Sequence, residues 1–230
     1  MKTNRFLLKY LKDKFGALIG CGLFSFVFKK ENEDFVTIVS CDKAKECNAL
    51  LGIQHPDYPK SEVLFPKVEF AEGKEVKETE EYLEKYGSLY PGSENLKIYR
   101  MEHFPRTKSL KSALKPDQWQ LYLALRRVMN KGAGYYKNNW DRIDEYRRLF
   151  DGMGRELDGK VYKENLGDEN AGKGAKYGEM MVFALESLLN FGGDVSFEIS
   201  PRNVAANSSG ELVLLDCFFY REDLRRVRGI

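Results

Sequence analysis

Near the C-terminal end of the chain, three polar residues stand at a spacing that suits chemistry on a phosphate group: Glu198, Asn203 five positions later, and Asp216 thirteen beyond that. A carboxylate and a carboxamide offer hard oxygen donors to a divalent cation, and a second carboxylate can accept the proton of an attacking hydroxyl. Asn203 and Asp216 are therefore the candidate metal residues and Glu198 the candidate catalytic residue. A second set lies in Gly20-Cys21-Gly22-Leu23-Phe24-Ser25-Phe26-Val27-Phe28. Here Gly20, Gly22, Ser25 and Val27 are the candidate cofactor-binding residues, because glycines let backbone approach phosphate and Val27 can floor a heterocyclic base. Plainer roles stand beside these. Two glycines in a hairpin make a turn, Asp216 can end a strand, and Asn203 can cap a loop.

The flanking pattern supplies elements to hold both sets. Leu7, Leu8 and Leu11 predict a short amphipathic helix over Phe6 to Lys12. Phe15 to Gly20, Leu23 to Lys30 and Phe35 to Cys41 read as a three-stranded antiparallel meander, with Glu31-Asn32-Glu33-Asp34 as its second turn. Lys43 to Leu51 reads as a helix. Val63 to Ala71 and Leu96 to Phe104 read as strands on either side of a charged, Glu/Lys-rich stretch. After Pro105 the period becomes helical, first through Trp119, Tyr122, Leu123, Leu125 and Val128, then through Trp140, Ile143, Tyr146, Leu149 and Phe150. Glu164 to Lys176 reads as a loop, and Tyr177 to Phe191 as a buried helix ending at Gly192-Gly193. A hairpin of Asn203 to Ala206 and Glu211 to Cys217, turned by Asn207-Ser208-Ser209-Gly210, closes the chain. The expected fold class is α+β, with a strand-rich part over 1–104 and a helical part over 105–230.

Composition bounds the partners. The 37 Lys and Arg nearly cancel the 35 Asp and Glu, so net charge gives no indication of nucleic acid or a membrane surface. The four cysteines include no zinc-type close pair. Met1 to Lys14 lacks the continuous apolar core of a secretion signal, and no apolar run reaches membrane-spanning length, so a cytoplasmic protein with no membrane partner is expected.

Phe197-Glu198-Ile199-Ser200-Pro201-Arg202-Asn203-Val204, followed by Leu212-Val213-Leu214-Leu215-Asp216, resembles the catalytic loop and metal-binding strand of protein-kinase-like proteins. The nearest flavour is the compact phage early-gene serine/threonine protein kinases. The resemblance implies a two-lobed kinase-like fold with a strand-rich N-lobe and a reduced helical C-lobe. It also implies ATP and Mg as cofactors, and a host protein as substrate or target in the host cytoplasm. The sequence departs from the pattern twice. Glu198 replaces the catalytic-loop aspartate, moving the carboxylate by about 1.5 Å, and Val39 stands where the phosphate-pairing lysine is expected. Lys29, Lys43 and Lys45 are nearby substitutes, none in the expected place, and the resemblance offers Glu46 as the helix glutamate for such a lysine beside its plainer role as a surface helix residue.

Three functions follow. One is transfer of the ATP γ-phosphate to Ser/Thr of host proteins. The second is a pseudokinase that binds and inhibits a partner, and the third is a small-molecule kinase of the aminoglycoside-phosphotransferase type. Other motifs carry less. Gly167 to Lys173 has Gly174 where a phosphate loop needs Ser or Thr, and His103 reads as a hinge or edge-strand residue.

Overall fold

The computed structural model describes residues 4–54, 65–86, 95–135, 142–163 and 172–229. In chain order they form α1 (Arg5–Phe15), β1 (Ala17–Cys21), β2 (Ser25–Lys29), β3 (Phe35–Ser40), α2 (Lys43–Gln54), β4 (Val68–Phe70), α3 (Lys74–Tyr86) and β5 (Lys97–Glu102). There follow α4 (Leu110–Ala113), α5 (Pro116–Tyr135), α6 (Arg142–Lys163), α7 (Lys173–Phe191), β6 (Val195–Phe197), β7 (Val204–Ala206), β8 (Leu212–Leu214), β9 (Phe218–Tyr220) and α8 (Arg221–Arg228). The protein is α+β, with a five-stranded antiparallel sheet and several helices. It divides into two units. Unit 1 takes the described residues of Met1–Ser61, Pro66–His103 and Phe219–Ile230, and unit 2 those of Glu62–Phe65 and Phe104–Phe218.

Unit 1 is built on the sheet, in the order β1-β2-β3-β5-β4. Asn4 starts α1 by accepting the Leu7 N–H at 3.2 Å. Leu7, Leu11 and Phe15 then line one helical face, so Phe15, expected to open a strand, instead closes the helix. Gly16 ends it with φ +88°. The acidic turn after β2 sets the register of β2 on β3: Val27 faces Ile38 and Phe26 faces Val39. Cross-strand partners share a face and neighbours in sequence alternate, so Val27 and Val39 lie on opposite faces. The Val39 face is covered by α1 and α3: Phe26, Phe28, Val39 and Ile98 are buried with Leu7, Leu11, Phe15, Val76 and Leu83. The Glu/Lys-rich stretch read as a connector is thus a helix, because Val76 and Leu83 give its charged sequence one apolar stripe.

Unit 2 is mainly helical. Helices α6 and α7 cross at glycines: a Cβ on Gly154 would lie 2.7 Å from the Gly174 carbonyl oxygen, and one on Gly178 would lie 2.8 Å from that of Phe150. Asp158 of α6 accepts the N–H groups of Gly174 and Ala175 at 2.8 and 3.0 Å. This external cap starts α7 at Lys173 rather than Tyr177. The remainder of the expected loop, Glu164 to Ala171, with most of the glycine decoy, lies outside the described residues, as do Trp140 and Val63. Among the described residues no helix is long and apolar enough to cross a membrane.

Candidate functional site

In unit 2 the loop from Glu198 to Asn203 is fixed residue by residue. Phe197 is buried, its ring 5.3 Å from those of Phe150 and Phe218. The Glu198 N–H donates to the Cys217 carbonyl at 2.8 Å, and buried Ile199 donates its N–H to Met129 Sδ at 3.2 Å. Ser200 to Asn203 is a tight turn closed by the Asn203 N–H on the Ser200 carbonyl at 3.0 Å. Pro201 sits at its second position, where a fixed φ favours the turn. The Asn203 carbonyl then accepts the N–H groups of Leu215 at 2.8 Å and Asp216 at 3.4 Å. Glu198 therefore adjoins Cys217 and Asn203 adjoins Asp216, which brings the three residues onto neighbouring backbone. Glu198 is exposed, while Asn203 and Asp216 are half-buried.

Gln118, not singled out from the sequence, anchors this hairpin. It is buried, accepts the Leu212 N–H at 3.1 Å and donates to Tyr177 Oη at 2.8 Å. One of two glutamines, Gln118 and Gln120, on an amphipathic helix carries no sequence signal for such a role.

The donor chemistry of the pair suits magnesium. One carboxylate and one amide oxygen are hard ligands, and magnesium binds through one or two protein oxygens with waters and substrate phosphates completing the shell. Among the described residues no group of three or more His, Cys, Asp or Glu gathers to hold a metal by protein ligands alone.

The glycine turn belongs to unit 1. Gly20 pairs with Val27 and Cys21 with Phe26, and the Gly22 N–H donates to the Ser25 carbonyl at 2.8 Å. Ser25 is buried and its hydroxyl lies 2.7 Å from that of Ser40, so it is engaged within the sheet. The Val27 face continues through Ile38 and Ser40 on β3 to Tyr99 and Lys97 on β5, since Ile38 pairs with Tyr99 and Ser40 with Lys97. Lys97 forms an ion pair with Glu46 of α2, and its Nζ lies 5.9 Å above the Phe70 ring.

The position on this face beyond Ile38 is therefore Ser40. Val39 points into the opposite core. The lysine beside Ser40 comes from β5, far along the sequence, and it meets the glutamate singled out on α2. Of the other substitutes, Lys29 Nζ is bonded to the Glu33 carbonyl at 2.7 Å, Lys43 faces Glu222 at 3.9 Å, and Lys45 is buried.

Burial and the Glu46 charge push the Cys47 thiol up to about 11. Burial, then Glu46 and Asp42, hold the Tyr99 phenol far above its usual range, so neither group ionises near neutral pH. His103 is half-buried just after β5, with its N–H on the Asp34 carbonyl at 3.0 Å; burial and then Lys29 lower its pKa. Comparison with protein-family models, with curated proteins and with solved structures found no match.

Proposed function

We propose that this protein is an ATP- and Mg-dependent phosphotransferase of the protein-kinase-like type, acting on serine or threonine hydroxyls of a protein substrate. The observation that carries the reading is the Lys97–Glu46 pair on the Val27 face of the sheet, directly across from Ser40. With side chains 42% and 26% exposed, such a pair contributes only about 0–1 kcal/mol to folding. Its worth to the protein lies in presenting an oriented ammonium. In this reading Lys97 contacts nucleotide phosphate, Glu46 fixes its direction, and the Gly20–Gly22 backbone closes over the same phosphates. In unit 2, Asn203 and Asp216 would hold magnesium, which would supply charge neutralisation on a phosphate group. Glu198 orients the acceptor hydroxyl and takes its proton.

The second reading is the pseudokinase, and the observation favouring it is Glu198 itself: exposed, and one methylene longer than aspartate. Positioning errors near 1 Å can cost about a hundredfold in rate.

Both readings are tested by Mg-dependent ATP binding in a thermal-shift assay, followed by incubation with labelled ATP and cell lysate. The enzyme reading expects stabilisation by ATP, labelled protein bands, and loss of both in Lys97→Ala. Glu198→Gln and Asp216→Ala should lose the label. Binding without label leaves the pseudokinase, a labelled metabolite points to the small-molecule kinase, and no binding at millimolar ATP removes all nucleotide-dependent readings.

A further inference from the structure

Between Glu102 and Asp117 the sequence holds Arg106, Lys108, Lys111 and Lys115 and no carboxylate. All four are exposed, and none forms an ion pair with a described residue. Elsewhere many cations are matched, including Lys14 with Glu78, Lys30 with Glu75, Arg127 with Glu156, Arg147 with Glu186 and Arg226 with Asp223. The unmatched strip is also held in place. Phe104 packs under the hairpin with Ala205, Val213 and Leu215. Ser109 caps α4, Leu114 is buried, and the Lys115 N–H donates to the Gly210 carbonyl at 2.8 Å. Four cations therefore stand on backbone fixed at both ends to the β7–β8 hairpin, so little chain entropy opposes their joint use.

We infer that the segment Arg106 to Lys115 is a docking surface for an acidic polypeptide. Its charge is complementary to a run of Asp and Glu, and cations on a fixed backbone, paired with no described residue, give such a partner both rate and register. A single-stranded nucleic acid fits less well, because stacking platforms carry much of that affinity and the strip exposes no aromatic side chain. The surface does not depend on phosphotransfer. Binding is read without nucleotide, so a catalytically inert protein still reports on it.

The test measures fluorescence anisotropy of a labelled Glu-rich peptide with the full chain at physiological salt, beside a Ser-rich peptide and a single-stranded RNA of equal length. Lys108→Glu with Lys111→Glu is expected to weaken the Glu-rich peptide by about tenfold or more. Lys9→Glu with Lys77→Glu, an equal change of net charge on exposed positions of α1 and α3, should leave it unchanged. Lys108→Gln with Lys111→Gln should also weaken binding, and serves if charge reversal perturbs folding. The inference is overturned if the Glu-rich peptide does not bind, if strip and control variants behave alike, or if the RNA binds more tightly than the peptide.

Discussion

A Cβ placed on Gly20 would stand 3.5 Å from Val27 Cβ, and one on Gly22 would stand 3.9 Å from the Ser25 carbonyl oxygen. Both are ordinary contacts, and neither glycine has a positive φ. Gly16 is the contrast: at φ +88° its Cβ would press within 2.9 Å of Lys30 Cα. The fold thus requires glycine at 16 but tolerates alanine at 20 and 22, where close approach of a ligand to backbone remains a reason for glycine. Gly20→Ala and Gly22→Ala are expected to keep stability within about 1 kcal/mol of the parent in urea unfolding while losing ATP-induced stabilisation. Gly16→Ala should lose about 1–3 kcal/mol. Undiminished ATP binding in the first two would make the turn a hairpin only. At this scale the hairpin that sets Asn203 beside Asp216 was legible in the sequence. The lysine was not. Strand alternation fixes which residues share a face only once the β2–β3 register is known, and Lys97 reaches Ser40 through a pairing with no signal in the local sequence.

Helix α8 shows how an element can be ordered by charge as much as by its apolar stripe. Val227 is its buried apolar anchor, while Asp223, also buried, accepts the Lys43 N–H at the start of α2 at 3.2 Å and pairs with Arg226 at 2.9 Å. Arg226 in turn donates to the Cys41 carbonyl at 3.2 Å. Burial raises the Asp223 pKa, outweighing the Lys43 N–H and Arg226, which lower it. A carboxyl whose folded pKa is raised adds stability that is complete below the unfolded carboxylate range and is lost as pH rises through the raised value. Asp223→Asn keeps an acceptor for Lys43 and cannot ionise. The urea midpoint of the parent relative to this variant is therefore expected to fall as pH rises from the acid range toward neutrality, and a constant difference would show that burial does not govern the group. In the sequence α8 is marked only by Arg221, Arg225, Arg226 and Arg228, because its purpose depends on the α2 terminus it meets. Helix α3 and the start of α7 were hidden for related reasons: one has few apolar residues, and the other is capped by Asp158 from a different helix.

Unit 1 is discontinuous in the chain: 115 residues of unit 2, Phe104–Phe218, separate most of it from its last segment. The change from strands to helices near Pro105 was readable from hydrophobic period, but a return of the C-terminal segment to the first unit leaves no mark in composition. Val227 and partly buried Phe219 and Leu224 pack into the same core as Leu7, Phe28 and Cys41, so the sheet and its helices reach their full core only after the whole chain is available. The cysteines report on this directly. Cys21 is exposed, while Cys41, Cys47 and Cys217 are buried, and Cys47 is further restrained by a thiol pKa of about 11. A thiol reagent at neutral pH is expected to find one fast group in the full chain, lost in Cys21→Ser, with the other three released on unfolding. A chain ending at Phe218 should expose Cys41 and Cys47 to the reagent without denaturant, because the core around Cys41 loses Val227 and the start of α2 loses Asp223. If the shortened chain still shows a single fast thiol, the last segment is an appendage and unit 1 is complete without it.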